Sequence, residues 1–139
     1  DENGVADAIR LALDDAELNP EDIGYINAHG TGTRLNDPLE CRAIHQIFGG
    51  RAATLPVSSN KSFFGHSMGA SSALEALATL LAVQNDCAPP TLNCDYQDPE
   101  CAIDTVSHNS RKVTIDAALS NSFAFGGSNA VLAFRKWKP

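Results

Sequence analysis

Two histidines and a lysine stand where the pattern of this chain turns. His29 opens the run His29-Gly30-Thr31-Gly32-Thr33. Its two glycines let the backbone turn sharply and let a ligand come close. The hydroxyls of Thr31 and Thr33 can hydrogen-bond an amide-bearing ligand arm. His66 closes Asn60-Lys61-Ser62-Phe63-Phe64-Gly65-His66, at the start of a long apolar helical run. The positive end of a helix dipole there disfavours imidazolium, so a neutral, hydrogen-bond-donating ring is expected. Such a ring can polarise a carbonyl or stabilise a developing enolate. Lys61 brings a second polar group to the same strand-to-helix link. A third run, Asn121-Ser122-Phe123-Ala124-Phe125-Gly126-Gly127, can offer backbone N–H groups as an oxyanion hole and set a ring over a pocket mouth. Each run also has a plainer reading: a polar turn, a capping histidine, and an ordinary turn between two strands.

Glu75 sits among Ala73, Leu74, Ala76, Leu77, Ala78, Leu80 and Leu81. A carboxylate inside a buried helix must find a partner or a cation, because desolvating it alone costs several kcal/mol. Helical spacing also puts Ser71, Ser72, Glu75 and Thr79 on one face, which could equally meet solvent. Sequence physics leaves both readings open.

The elements that must position these groups can be read from periodicity. Val5, Ile9, Ala12, Leu13 and Ala16 predict an amphipathic helix over 3–17. A strand follows over 23–28, then a helix from Asp37-Pro38 to Phe48, with Asp as N-cap and Pro at the first helical position. A strand over 55–59 leads through Gly65-His66-Ser67 into a helix reaching Asn85. Residues 93–112 read as loop, and 117–123 with 130–134 as a closing strand pair. The alternation predicts an α/β layered unit, whose ligand site belongs at strand ends.

Composition narrows the function. A chain of 139 residues with 43% hydrophobic and 19% charged residues is globular in type. The net charge of −7 argues against nucleic acid, which needs clustered Lys and Arg. Arg135, Lys136 and Lys138 form the single basic cluster, expected as a solvated tail. The apolar run Ala70 to Val83 is too short and too polar for a membrane span. None of Cys41, Cys87, Cys94 and Cys101 has zinc-site spacing, so no metal centre of that kind is expected. With no secretory signal, reduced thiols in a cytoplasm are expected. The first residue is Asp1, and we expect an upstream portion to have been removed.

In order and spacing, Tyr25 to Thr33, Asn36-Asp37, Glu40, Lys61-Ser62, Gly65-His66, Pro89-Pro90-Thr91-Leu92-Asn93 and Asn121-Ser122-Phe123 with Phe125-Gly126-Gly127 resemble the β-ketoacyl-[acyl-carrier-protein] synthases. The Pro-Pro-Thr-x-Asn element is similar to that of discrete, elongating (type II) members. The resemblance implies the C-terminal half of a thiolase-like α/β fold, with residues 1–139 as one domain. The N-terminal half, which holds the nucleophilic cysteine, would be absent. It implies decarboxylative condensation of an acyl thioester with malonyl-carrier protein in fatty acid biosynthesis, in a homodimer. No cofactor is implied beyond the carrier's own phosphopantetheine.

By position, His29 and His66 would promote decarboxylation and Lys61 would order the site. Glu75 would be the carboxylate partner of Lys61. Thr31 and Thr33 would line the phosphopantetheine path, and Phe125 would give an oxyanion-hole N–H and a gating ring. A monovalent cation near Asn27, Glu75 and Asn121 is implied by some relatives. Ala124 stands where the family often has glycine, and Ser71-Ser72 where it often has Ala and Gly. The competing readings are a polyketide or polyunsaturated fatty acid ketosynthase and a silent chain-length-factor-like partner. The two histidines weigh against the silent partner. A thiolase would need a second cysteine near its C-terminus, and none follows Cys101.

Overall fold

The computed structural model describes residues 2–137. Helix α1 (Glu2–Asp15) turns Val5, Ala6, Ile9 and Leu13 inward, the stripe its 3.6-residue period foretells. Strand β1 (Ile23–Asn27) leads to α2 (Asn36–Phe48), and β2 (Pro56–Ser58) to the one-turn helix α3 (Lys61–Phe64). Helix α4 (Ser71–Asn85) is followed by three two-residue strands. These are β3 (Cys87–Ala88), β4 (Asp104–Thr105) and β5 (Arg111–Lys112). A hairpin of β6 (Ala117–Phe123) and β7 (Asn129–Arg135) closes the chain.

The main sheet runs β4-β2-β1-β6-β7, parallel except for β7, while β3 and β5 pair separately. Strand alternation divides the core between the two faces of the sheet. Ile26 and Leu119 join Val5, Ile9, Ile44 and Phe48 under α1 and α2. Tyr25 and Ala118 join Ala82, Val83, Val106 and Ile115 under α4. A fully buried Ile such as Ile9 or Ile26 contributes about 1.5–3 kcal/mol. The result is an α/β layered unit, as the alternation of elements foretells.

Several expectations need correction. The helix into Asn85 does not start at His66. Gly65 and Met68 take positive φ (72° and 47°), which breaks the chain into α3, a 3₁₀ turn and α4. Helix α2 begins at Asn36, and the Asp37 carboxylate reaches back to the Gly32 N–H rather than capping its own helix. The loop 93–112 holds β4 and β5, and β4 is one edge of the main sheet. Two polar residues are too short a run to show a period. The basic cluster is not a solvated tail over its described part: Lys136 pairs with Asp86 at 2.7 Å and Arg135 bonds the Glu17 carbonyl. Lys138 lies outside the described residues.

The polarity of α4 is reversed. Ser71, Glu75 and Thr79 face the sheet, while Leu77, Leu80 and Leu81 are about half exposed (56%, 48% and 51%). The solvent-stripe reading of Glu75 therefore fails, although Ser72 is exposed.

Candidate active site

The C-terminal ends of β1, β2 and β6 converge, as expected for an open α/β sheet. Strand β1 ends at Asn27 and delivers His29 two residues on. Strand β2 delivers Asn60 and Lys61, and β6 delivers Ser120, Asn121 and Phe123.

Lys61 is the hub. Its Nζ lies 2.5 Å from Glu75 Oε1, 2.5 Å from the His29 carbonyl and 3.2 Å from His29 Nδ1. An ammonium has three N–H donors and no acceptor, and here each donor has an acceptor. Because Lys61 donates to Nδ1, the imidazole proton of His29 belongs on Nε2. Burial, then the Lys61 charge and then His66, lower the His29 pKa to about 4. Burial pushes the Glu75 carboxyl upward, and the bond and charge of Lys61 oppose that shift.

The His66 ring meets His29 edge-on, with centroids 5.7 Å apart and planes at 87°. Phe123 also packs on His29, with ring centroids 5.6 Å apart. His66 does not sit on the helix end as expected. Its Nδ1 lies 3.2 Å from Ser71 Oγ, and that hydroxyl also accepts the Ser67 N–H at 2.9 Å. Ser71, the first residue of α4, therefore ties His66 to that helix.

Glu40 carries the loop that holds His29, and sequence reasoning gave it no role. It is 2% exposed and accepts the N–H groups of His29 and Gly30, both at 2.9 Å, and Asn121 Nδ2 at 3.0 Å. Burial raises its pKa against those hydrogen bonds. Its helical neighbours Ala43 and Ile44 are buried, so a carboxylate on the apolar stripe of α2 was the available signal. At Gly30, φ is +42° and a Cβ would lie 2.5 Å from Ser59 Cβ. No other residue fits that approach, and Ser59 Oγ donates to the Gly30 carbonyl at 2.7 Å.

Thr31 and Thr33 bond each other through their hydroxyls at 3.0 Å, on the exposed side of the turn. A cavity of about 460 Å³ lies against this turn, with Thr31, Thr33, Ser59, Ser62 and Thr91 in its wall; neither His29 nor His66 lines it. Phe125 is 95% exposed, in the turn that follows β6.

Among the described residues, four buried side-chain oxygens, Asn27 Oδ1, Glu75 Oε2, Ser120 Oγ and Asn121 Oδ1, have no hydrogen-bond partner. Asn27 and Ser120 are cross-strand partners, and Asn27 Nδ2 donates to the Glu75 carbonyl and Thr79 Oγ1. Oxygens of this kind, one of them a carboxylate's, are donors that suit a hard cation. Ser120 thus stands beside the three residues expected from sequence among those whose buried oxygens lack a partner. Among the described residues, no group of three or more His, Cys, Asp or Glu is placed to hold a metal, and no helix is long and apolar enough to cross a membrane.

Residues 1–95 match the family model "Beta-ketoacyl synthase, C-terminal domain". The chain is 50% identical over 138 residues to 3-oxoacyl-[acyl-carrier-protein] synthase 2 of Synechocystis sp., covering 99% of this chain and 33% of that protein. Among solved structures it resembles the ishigamide ketosynthase/chain length factor with a TM-score of 0.95 and 43% identity, covering 99% of this chain and 34% of that one. It also resembles AntDE:AntF, described as a type II PKS acyl-carrier protein in complex with its ketosynthase. That match has a TM-score of 0.94 and 34% identity, and covers 99% of this chain and 34% of that one. The chain spans about a third of the length of the curated relatives it matches. With its motifs, its fold and these matches in agreement, the chain belongs to the β-ketoacyl synthase family, in the part that forms the C-terminal domain.

Proposed function

We propose that this chain is the decarboxylating part of a 3-oxoacyl-[acyl-carrier-protein] synthase, an acyltransferase of fatty acid biosynthesis. The observation that carries the reading is the Lys61 ammonium bound at once to His29 and Glu75, with His66 5.7 Å from His29. Malonyl-carrier protein loses its carboxylate as carbon dioxide. The electron pair left behind moves into an enolate, whose oxygen takes hydrogen bonds from His29 Nε2–H and the His66 ring. The enolate carbon then attacks an acyl thioester held on a cysteine of the missing N-terminal part. A carbon–carbon bond forms and the cysteine thiolate leaves.

The remaining assignments follow the same reading. Thr31 and Thr33 guide the amide-bearing phosphopantetheine arm. The Phe125 N–H serves the oxyanion, and its ring gates the acyl channel. A monovalent cation held by Asn27, Glu75, Ser120 and Asn121 would supply positive charge that fixes the Glu75 carboxylate. Glu75 in turn holds Lys61, whose bond to Nδ1 keeps the His29 proton on Nε2.

The half-exposed Leu77, Leu80 and Leu81, with Phe63 at 47% and Phe64 at 50%, support an N-terminal half as the cover of α4. The reading carries with it an acidic carrier protein as partner and a cytoplasmic homodimer. The 139 residues alone should not extend an acyl chain, because none of their cysteines sits in the family's nucleophile context. A polyketide ketosynthase would use the same residues, and solved polyketide ketosynthases are among the structural relatives. The test is carbon dioxide release from malonyl-carrier protein by the complete enzyme. No release from an enzyme that carries both histidines would overturn the reading.

A further inference from the structure

Arg34 follows directly on Thr33 and is exposed. Every other described lysine or arginine is engaged. Arg10, Arg42, Lys61, Arg111 and Lys136 are in ion pairs, and Arg51, Lys112 and Arg135 bond carbonyls. Arg34 is the one cation among the described residues with neither an ion pair nor a hydrogen bond. The nearest carboxylate in sequence, Asp37, is already committed to the Gly32 N–H at 3.1 Å and to Asn36 Nδ2 at 3.0 Å. The turn is stitched to itself by Thr31–Thr33 and by the Asn36 N–H to Thr33 Oγ1 at 3.2 Å. Its guanidinium is left over, on a chain whose net charge is −7.

We infer that Arg34 binds the phosphate at the outer end of the phosphopantetheine arm. This rests on the proposed function, in which Thr31 and Thr33 meet the amides of that arm. Arg34 shares a cavity wall with Thr31 and Thr33, and in sequence it follows His29, Thr31 and Thr33 as the phosphate follows thioester and amides along the ligand. Charge distribution fixes which end lies where. Asp37 and Asp98 line the neighbouring cavity with Arg34 and repel an anion, so the phosphate stays at the rim. A guanidinium presents its donors as a planar fork that matches phosphate oxygens. Leu35 beside it is 81% exposed and gives that rim an apolar contact for the gem-dimethyl group next to the phosphate.

The experiment is equilibrium binding of phosphopantetheine and of pantetheine to the complete synthase containing this chain, by calorimetry at low salt. The natural enzyme should prefer the phosphorylated form by about fivefold to tenfold. Arg34→Ala should erase most of that preference, and Arg34→Lys should keep part of it. Inorganic phosphate alone should compete weakly. A preference that survives Arg34→Ala overturns the assignment. So does displacement of phosphopantetheine by inorganic phosphate at equal concentration. The readout is binding, so failure of the condensation reading would appear separately, as absent carbon dioxide release with the phosphate preference intact.

Discussion

Lys61 and Glu75 form a 2.5 Å ion pair with side chains only 6% and 2% exposed, across 14 residues of sequence. Removing one partner of a buried pair strands the other charge, which costs about 3–5 kcal/mol. Lys61→Met should therefore destabilise the complete protein by roughly 3 kcal/mol in denaturant unfolding. Adding Glu75→Leu to it should restore much of that loss. A Lys61→Met protein as stable as the parent would show that the pair contributes nothing.

The His29 ring should titrate near pH 4 in the folded protein. Its folded pKa lies below the ordinary histidine value of about 6.5, so between those values the unfolded chain binds the extra proton. Stability is thus lost as pH falls through that window and is complete above it. Decarboxylation that depends on neutral His29 should keep its acid limb well below pH 6.5. NMR titration of the ring checks the value, and Lys61→Met should move it upward because the lysine charge is removed.

His66→Ala in the complete enzyme should abolish malonyl decarboxylation while leaving acylation of the nucleophile largely intact. Its proposed work is on the enolate oxygen, which exists in the second half-reaction only. Separate assays of acyl transfer and carbon dioxide release decide this. Equal loss of both would make His66 the base of the nucleophile.

Phe125 should change rotamer between the free and acyl-bound complete enzyme. Its ring is exposed, and Gly126 and Gly127 follow at φ 78° and 80°, angles closed to most residues. Phe125→Ala should blur chain-length preference. A single rotamer in both states, with normal elongation of every length by the alanine variant, would sink the gate. Ala124 in place of glycine limits the swing of that loop.

Helices α1 and α2 and the strands β1 and β6 were legible because their periods are long enough to count. The two-residue strands β3, β4 and β5 were not, since a pair of residues has no period. The histidines announced themselves by their turns, but the position of His66 did not. Whether α4 began at Gly65 or Ser71 depended on Met68 taking φ 47°, a choice made by tertiary context. Glu40 showed only as a carboxylate on an apolar stripe, and what it and Ser120 meet was opaque for another reason. Their partners arrive from elements 10 or more residues away, and one-dimensional patterns do not record such meetings.

The reversed face of α4 has a thermodynamic consequence. The steepness with which denaturant unfolds a protein follows the area newly exposed. Leu77, Leu80 and Leu81 are already half in water in the folded chain, so the isolated 139 residues should unfold with a shallow slope for their length. If the proposed N-terminal half covers that helix, the same leucines should count fully. The slope of the joined enzyme should then exceed the sum of its separate parts.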